Sequence, residues 1–471
     1  LREGHTLSLS PTNIGDFLNL WHFFDDELVF GDGSLGCGFR LSGKDISTAT
    51  DEEINQFTRK LENLITSLDE GLSLQFLYRL TPHVSKKIKE HEDLSKNCLI
   101  ENYDKILKSR IKHFKTKLNQ GNFFKPEIYL FLRGKPHIFK NKRFFEKEKD
   151  FKVLQEEDFK SHRETFARSI SQLESSLKDC GVFKERLSSK DWFSLMYEHF
   201  NLSRSEEHDA PILKGPKVFS PSSLLSQALL TDIHLHKNHI EMGDYKFRVL
   251  SLKTLPDETY SGLIDGLLRM PFHCWISQVV KICDQSKEYS ALQFKRRLTH
   301  SMASGKANVS DMESESKLGQ IEGILSELIE SSEKIVESDL NILVWGRTEA
   351  ELDEKCDDVL RAFKRLNHSE GLIETYATLD AFLKMTPGQC SVNRSHKMKS
   401  SNLAHLLPAF SYWEGNKKPS CLVPNRDNVL VSIDPFSPEL PNWNGFIIGS
   451  SGSGKSFTIN QLILMFIGDQ K

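Results

Sequence analysis

Gly449-Ser450-Ser451-Gly452-Ser453-Gly454-Lys455-Ser456 matches the pattern G-x-x-x-x-G-K-[ST], and the chemistry of that pattern organises the reading of the whole chain. Glycines let successive backbone N–H groups turn inward around an anion with no side chain in the way. A lysine placed directly after them reaches the β- and γ-phosphates of a nucleotide, and the hydroxyl that follows sits on Mg²⁺. A helix beginning at the lysine adds unpaired N–H donors and a dipole that favours negative charge. The site expected here is therefore Gly449, Ser450, Ser451, Gly452, Ser453, Gly454, Lys455, Ser456 and Phe457 around ATP. Lys455 is its catalytic cation, and Ser456 meets Mg²⁺ through the nucleotide.

The flanks read as the context such a loop requires. Phe446-Ile447-Ile448 is a short apolar run of the kind seen in buried parallel strands, and residues 457–467 are apolar on most helical faces. Strand, loop and helix follow in that order. Only fifteen residues lie beyond Ser456, so the expectation is a nucleotide-binding domain that begins at about residue 396 and is incomplete within this sequence.

The sequence has 471 residues, 38% hydrophobic and 27% charged, with 31 Phe; that is enough for roughly two to four cores. No apolar run approaches membrane-span length. Leu1-Arg2-Glu3-Gly4-His5 shows no charged-then-apolar export signal, which makes a cytoplasmic location the expectation. Eight cysteines stand singly, without the close pairs of zinc or thiol-exchange sites, and read as buried thiols. Charge is uneven beneath a net −3: residues 101–170 carry 18 Lys and Arg against 10 Asp and Glu, and residues 305–358 carry 5 against 15. Solvated helix faces explain such segments; docking of one subunit or partner on another is the functional alternative.

Ahead of the loop, the pattern is mixed. Leu35 to Leu41 after Gly31-Asp32-Gly33 reads as the second arm of a hairpin, residues 51–68 as an amphipathic helix begun at Thr48 and Thr50, and residues 72–80 as a strand. Helices are expected within 84–118, a strand at 128–132 and mainly helix over 145–202. Residues 203–223 look like a boundary. A second block follows: strands at 233–240 and 245–252 around Glu241-Met242-Gly243-Asp244, a helix from Leu255 to about Leu268, a strand at 275–282, helices at 291–299 and 316–337, then a strand, a helix and a strand over 340–377. Two blocks of strand-helix-strand character suggest an old duplication. The expected domains are residues 1–205 and 206–395, both α+β, and 396–471, the start of the nucleotide-binding domain. The fold class is α/β overall.

Other constellations carry less. His234, His236 and His239 are metal-ligand types, but a metal site needs convergent geometry, and His234 and His236 read as one strand face with His239 nearer the turn. Asp25-Asp26-Glu27 beside a turn reads as solvated carboxylates. A G-x-S-x-G nucleophile elbow is absent.

Together, three features resemble the conjugation and type IV secretion ATPases, in their TraC-like, F-type branch. They are the 245–252 strand running into Ser251-Leu252-Lys253-Thr254-Leu255-Pro256, the large αβ region ahead of the loop, and the passage from Val429 to Pro441 into Asn444–Ser456. The resemblance implies a RecA-like carboxyl-terminal domain and a homo-oligomer, a hexamer in the complete protein. It also implies other secretion subunits as partners, a peripheral place at the bacterial inner membrane, and ATP-driven pilus biogenesis and substrate transfer. Walker-B carboxylates, a catalytic glutamate and an arginine finger are then expected outside this sequence. A DNA-translocating motor of the FtsK and HerA kind would use the same loop, so direct DNA binding stays open; a docking module without activity of its own is the reading from another class.

Overall fold

The computed structural model describes residues 18–96, 101–136, 156–215, 224–303, 312–331 and 333–468. Its centre is a 13-stranded sheet whose paired strands are all antiparallel. Strand periodicity explains its position. Along Ser73–Thr81, the side chains of Leu74, Phe76, Tyr78 and Leu80 enter one core while Leu77 enters the other. Lys125–Gly134 divides likewise, with Ile128, Leu130 and Leu132 on the first face and Tyr129 and Phe131 on the second. Both faces are buried: residues 128–132 form a continuous apolar run, and the polar members of the Ser73–Thr81 alternation, Gln75 and Arg79, are buried as well.

Helices cover both faces. Asp51–Ser67, Glu156–Cys180 and Glu349–Arg365 bury Leu61, Leu173 and Val359 against the first. Ser189–Phe200 and Thr378–Lys384 bring Trp192, Phe193, Phe200 and Phe382 to the second. The Asp51–Ser67 start is locally encoded by a capping box: Thr50 Oγ1 accepts from the Glu53 amide, and the Glu53 carboxylate accepts from the Thr50 amide at 2.9 Å.

The sheet is built twice over by the same order of elements. In the first unit the hairpin Glu27–Phe30/Leu35–Leu41 leads to Ser73–Thr81, then the helices Ser85–Ser95 and Glu101–Asn119. Lys125–Gly134 then returns between Leu35–Leu41 and Ser73–Thr81, and after a helix Phe183–Arg186 pairs with Leu35–Leu41. In the second unit Ile240–Met242/Tyr245–Thr254 leads to Cys274–Ile282 and the helices Gln285–Ala303 and Met312–Glu330. Ile335–Gly346 then returns between Tyr245–Thr254 and Cys274–Ile282, and Glu370–Ile373 pairs with Tyr245–Thr254 after a helix. The units join where Ser73–Thr81 and Cys274–Ile282 pair antiparallel with Leu77 opposite Ser277. That geometry relates them by an approximate two-fold axis through the junction, and the mixed α/β class is the one expected.

Three local readings are corrected. The helix expected from Leu255 shrinks to Asp265–Leu268, because Pro256 restricts the backbone before it and Gly262 turns the chain at φ +83°. The mainly helical stretch holds a strand, Phe183–Arg186, which follows Gly181 at φ +76°. The strand expected at 233–240 is two short ones, His234–Leu235 and Ile240–Met242, folded back on each other.

Candidate nucleotide-binding loop

Residues 442–450 have no regular structure, turns and bends carry the chain to Gly454, and a helix runs Lys455–Gly468. The loop conformation requires glycine at two places: Gly452 has φ +78° and Gly454 φ +84°. Gly449 meets a different demand, since a Cβ there would lie 2.5 Å from Ser453 Oγ. The Ser453 amide donates to Ser450 O at 3.3 Å, and the Thr458 amide to Gly454 O at 2.9 Å, the first closure of the helix. Amides of a first helical turn have no acceptor within their own helix, so those of Lys455, Ser456 and Phe457 face the loop side as donors. Ser456 and Phe457 are exposed and Lys455 half-buried.

Lys455 folds back over its own loop. Its Nζ donates to Gly449 O and to Ser450 O, each at 2.7 Å. Two neutral carbonyls thus hold the cation above the glycines, and a polyphosphate offering full negative charge is a stronger partner for it. Among the described residues no carboxylate is hydrogen-bonded or ion-paired to the loop. The fit to a nucleotide would rest on the glycine backbone, the lysine and the helix start, with the exposed Ser456 hydroxyl next to the lysine.

The strand expected before the loop does not form. Phe446, Ile447 and Ile448 are 88%, 41% and 80% exposed, and no described strand pairs with them. A buried parallel strand needs hydrogen-bonding neighbours, and an apolar run without them stays irregular. The helix behind the loop is anchored along one side only. Met465 packs with Leu107 and Cys421, and Arg110 donates both to Gln461 Oε1 at 3.2 Å and to Leu422 O at 2.8 Å.

Two clusters set aside from sequence look different in three dimensions. Asp25 and Asp26 are exposed, as expected, yet all three carboxylates have partners: Arg163 reaches Asp25 at 2.5 Å and Glu27 at 3.0 Å, and Asp26 accepts from the Ser189 amide at 2.8 Å. Glu27 is buried. His236 and His239 converge because the chain turns between them, with ring centroids 4.4 Å apart. Only the Lys-Asn pair at 237–238 could have signalled that turn.

The seven described cysteines are buried free thiols. Burial pushes their pKa values up, to about 12 for Cys37, Cys274 and Cys390, which favours the thiol over the thiolate. No helix among the described residues is long and apolar enough to cross a membrane.

Comparison with known proteins bears on the body more than on the loop. The chain is 23% identical to the conjugal transfer protein TrbE of Rhizobium radiobacter over 93% of its own length and 55% of that protein's. It is also 23% identical to a probable conjugal transfer protein TrbE of Sinorhizobium fredii (strain NBRC 101917 / NGR234), covering 46% of this chain and 35% of the relative. It thus spans about half the length of the first relative and less of the second. The family described as TraC protein matches residues 14–385, which takes in both units of the sheet and stops short of the glycine loop. The chain belongs to the TraC protein family.

Proposed function

We propose that this chain is the docking and assembly region of an ATP-hydrolysing motor of a bacterial type IV conjugation system, together with the phosphate loop and first helix of that motor's nucleotide site. The observation that carries the reading is the segment Gly449–Ser456: its glycines at φ +78° and +84° lead into a helix headed by Lys455, on a chain of the TraC family. ATP bound here supplies the phosphoryl group and Mg²⁺ the charge to polarise it. The loop amides and Lys455 bind and orient the phosphates, and Ser456 offers its hydroxyl to the metal. The working form is a hexamer at the inner membrane that energises pilus biogenesis and substrate transfer.

Support for the docking role comes from the two units. In the first, the helix pair Ser85–Ser95 and Glu101–Asn119 is covered by Cys421–Pro424 and by the helix behind the loop. The corresponding pair in the second, Gln285–Ala303 and Met312–Glu330, exposes Phe294 at 69% and Ile329 at 67%. Exposed apolar residues at matching places mark a surface for another subunit.

Lys455→Ala in the complete protein abolishes ATP turnover on this account, and normal turnover by that variant contradicts it. DNA-stimulated turnover that falls steeply with salt would instead favour the DNA-translocating reading.

A further inference from the structure

The outer edge of the second unit gathers metal-ligating side chains on one face. His234, Glu241 and Lys246 lie side by side across three strands, with His234 opposite Glu241 and Glu241 opposite Lys246, so their side chains share a face. His236 and His239 extend that face toward the turn, two residues from His234 and Glu241 respectively. The turn is closed by the His236 amide donating to His239 O at 3.0 Å, and Arg248 Nε donates to Asn238 O at 3.0 Å, holding its tip to the next strand.

One ligand atom from each of His236, His239 and Glu241 lies within 4.8 Å of the other two. His236 Nε2 stands 3.2 Å from Glu241 Oε2. Asn238 fixes the tautomer of the buried imidazole: His239 Nδ1 is 2.9 Å from Asn238 Oδ1, an acceptor, so Nδ1 carries the proton and Nε2 presents a lone pair. What faces that lone pair is a cation. Lys246 Nζ lies 3.4 Å from His239 Nε2 and 3.3 Å from Glu241 Oε2, and it has a second partner in Glu349 at 3.8 Å. Its ammonium occupies the space between His239 Nε2 and Glu241 Oε2, with another carboxylate to retreat to.

We propose that His236, His239 and Glu241 form a transition-metal site for a borderline divalent ion of the Zn²⁺ class, bound through His236 Nε2, His239 Nε2 and a Glu241 oxygen, with water in the fourth position. Two imidazoles and a carboxylate suit Zn²⁺ and disfavour Mg²⁺ or Ca²⁺, which prefer all-oxygen shells. Binding displaces Lys246 toward Glu349 and ties the two short strands of the edge hairpin together. The metal thereby pins the last strands of a sheet edge that is otherwise held by few ladder bonds.

Zn²⁺ competition against a chromogenic chelator, on the tag-free chain, tests the site. One Zn²⁺ is expected per chain. His236→Ala, at an exposed position, weakens it by at least about tenfold, as does His239→Ala; Lys246→Met, which removes the competing ammonium, tightens it. Circular dichroism of each variant checks the fold, and His236→Ala and Lys246→Met keep the test open should the buried His239 variant unfold. Absence of Zn²⁺ uptake, uptake unchanged in His236→Ala, or weaker uptake in Lys246→Met each overturns the proposal.

Discussion

Gly388 and Gly452 share a backbone conformation and nothing else. Gly388 has φ +88°, and a Cβ there would lie 2.1 Å from the ring of Trp192, whose Nε1 donates to Pro387 O at 2.9 Å. Gly452 has φ +78° with no atom within 4 Å of an added Cβ. One glycine serves the packing of the sheet body, and the other leaves space in front of the loop. The difference separates two kinds of necessity: in the body glycine is required by its neighbours as well as by its backbone, and in the loop by its backbone conformation alone.

The largest expected break of that comparison is in the body. Arg79 is buried beside Glu198, lies 3.8 Å from Glu127 and stacks 4.4 Å above the Trp275 ring. Arg79→Ala leaves the Glu198 carboxylate without its guanidinium and Glu127 with Lys125 as its ion-pair partner, and is expected to cost about 3–5 kcal/mol of unfolding free energy in urea melts. Gly388→Ala follows at about 2–5 kcal/mol, the sum of a left-handed alanine and an overpacked site. Gly452→Ala, by contrast, carries the left-handed strain without the overpacking, about 1–2 kcal/mol. Equal losses from Gly388→Ala and Gly452→Ala would erase the distinction.

Acid titration sharpens it, because two buried carboxylates pull in opposite directions. Burial raises Asp339 from 3.8 to about 6, against the hydrogen bond from the Asn393 amide. Its contribution is full below pH 3.8 and is lost as pH climbs through 6. Burial also pushes Glu127 upward, but Arg79 and Lys125 outweigh it and hold the carboxyl at about 2, below the usual 4.5. That contribution is full above pH 4.5 and is lost as pH falls toward 2. Asp339→Asn should therefore flatten the stability profile between pH 4 and 6 and leave the acid limb intact. A profile unchanged in that window by Asp339→Asn would rule out this carboxylate as its source.

Much of the body was legible because local signals agreed with the tertiary outcome. Thr50 with Glu53, Thr348 ahead of Glu349–Arg365 and the alternation along Ser73–Thr81 each specify their element. Legibility failed where a neighbour decides. Residues 446–448 have strand composition without a partner strand, and His236 and His239 meet only through a turn that Lys237 and Asn238 mark faintly. The pairing of Ser73–Thr81 with Cys274–Ile282, in which Leu77 lies opposite Ser277, 200 residues on, left no local trace at all. The loop differs in that its pattern is wholly local, eight consecutive residues from Gly449 to Ser456.

The most direct test of the central claim is equilibrium binding of Mg·ATP to the complete protein and to its Gly454→Val variant, with thermal melting of both in parallel. The account predicts that binding is lost while the melting of the sheet body is preserved. Undiminished Mg·ATP binding by a folded Gly454→Val protein would contradict it.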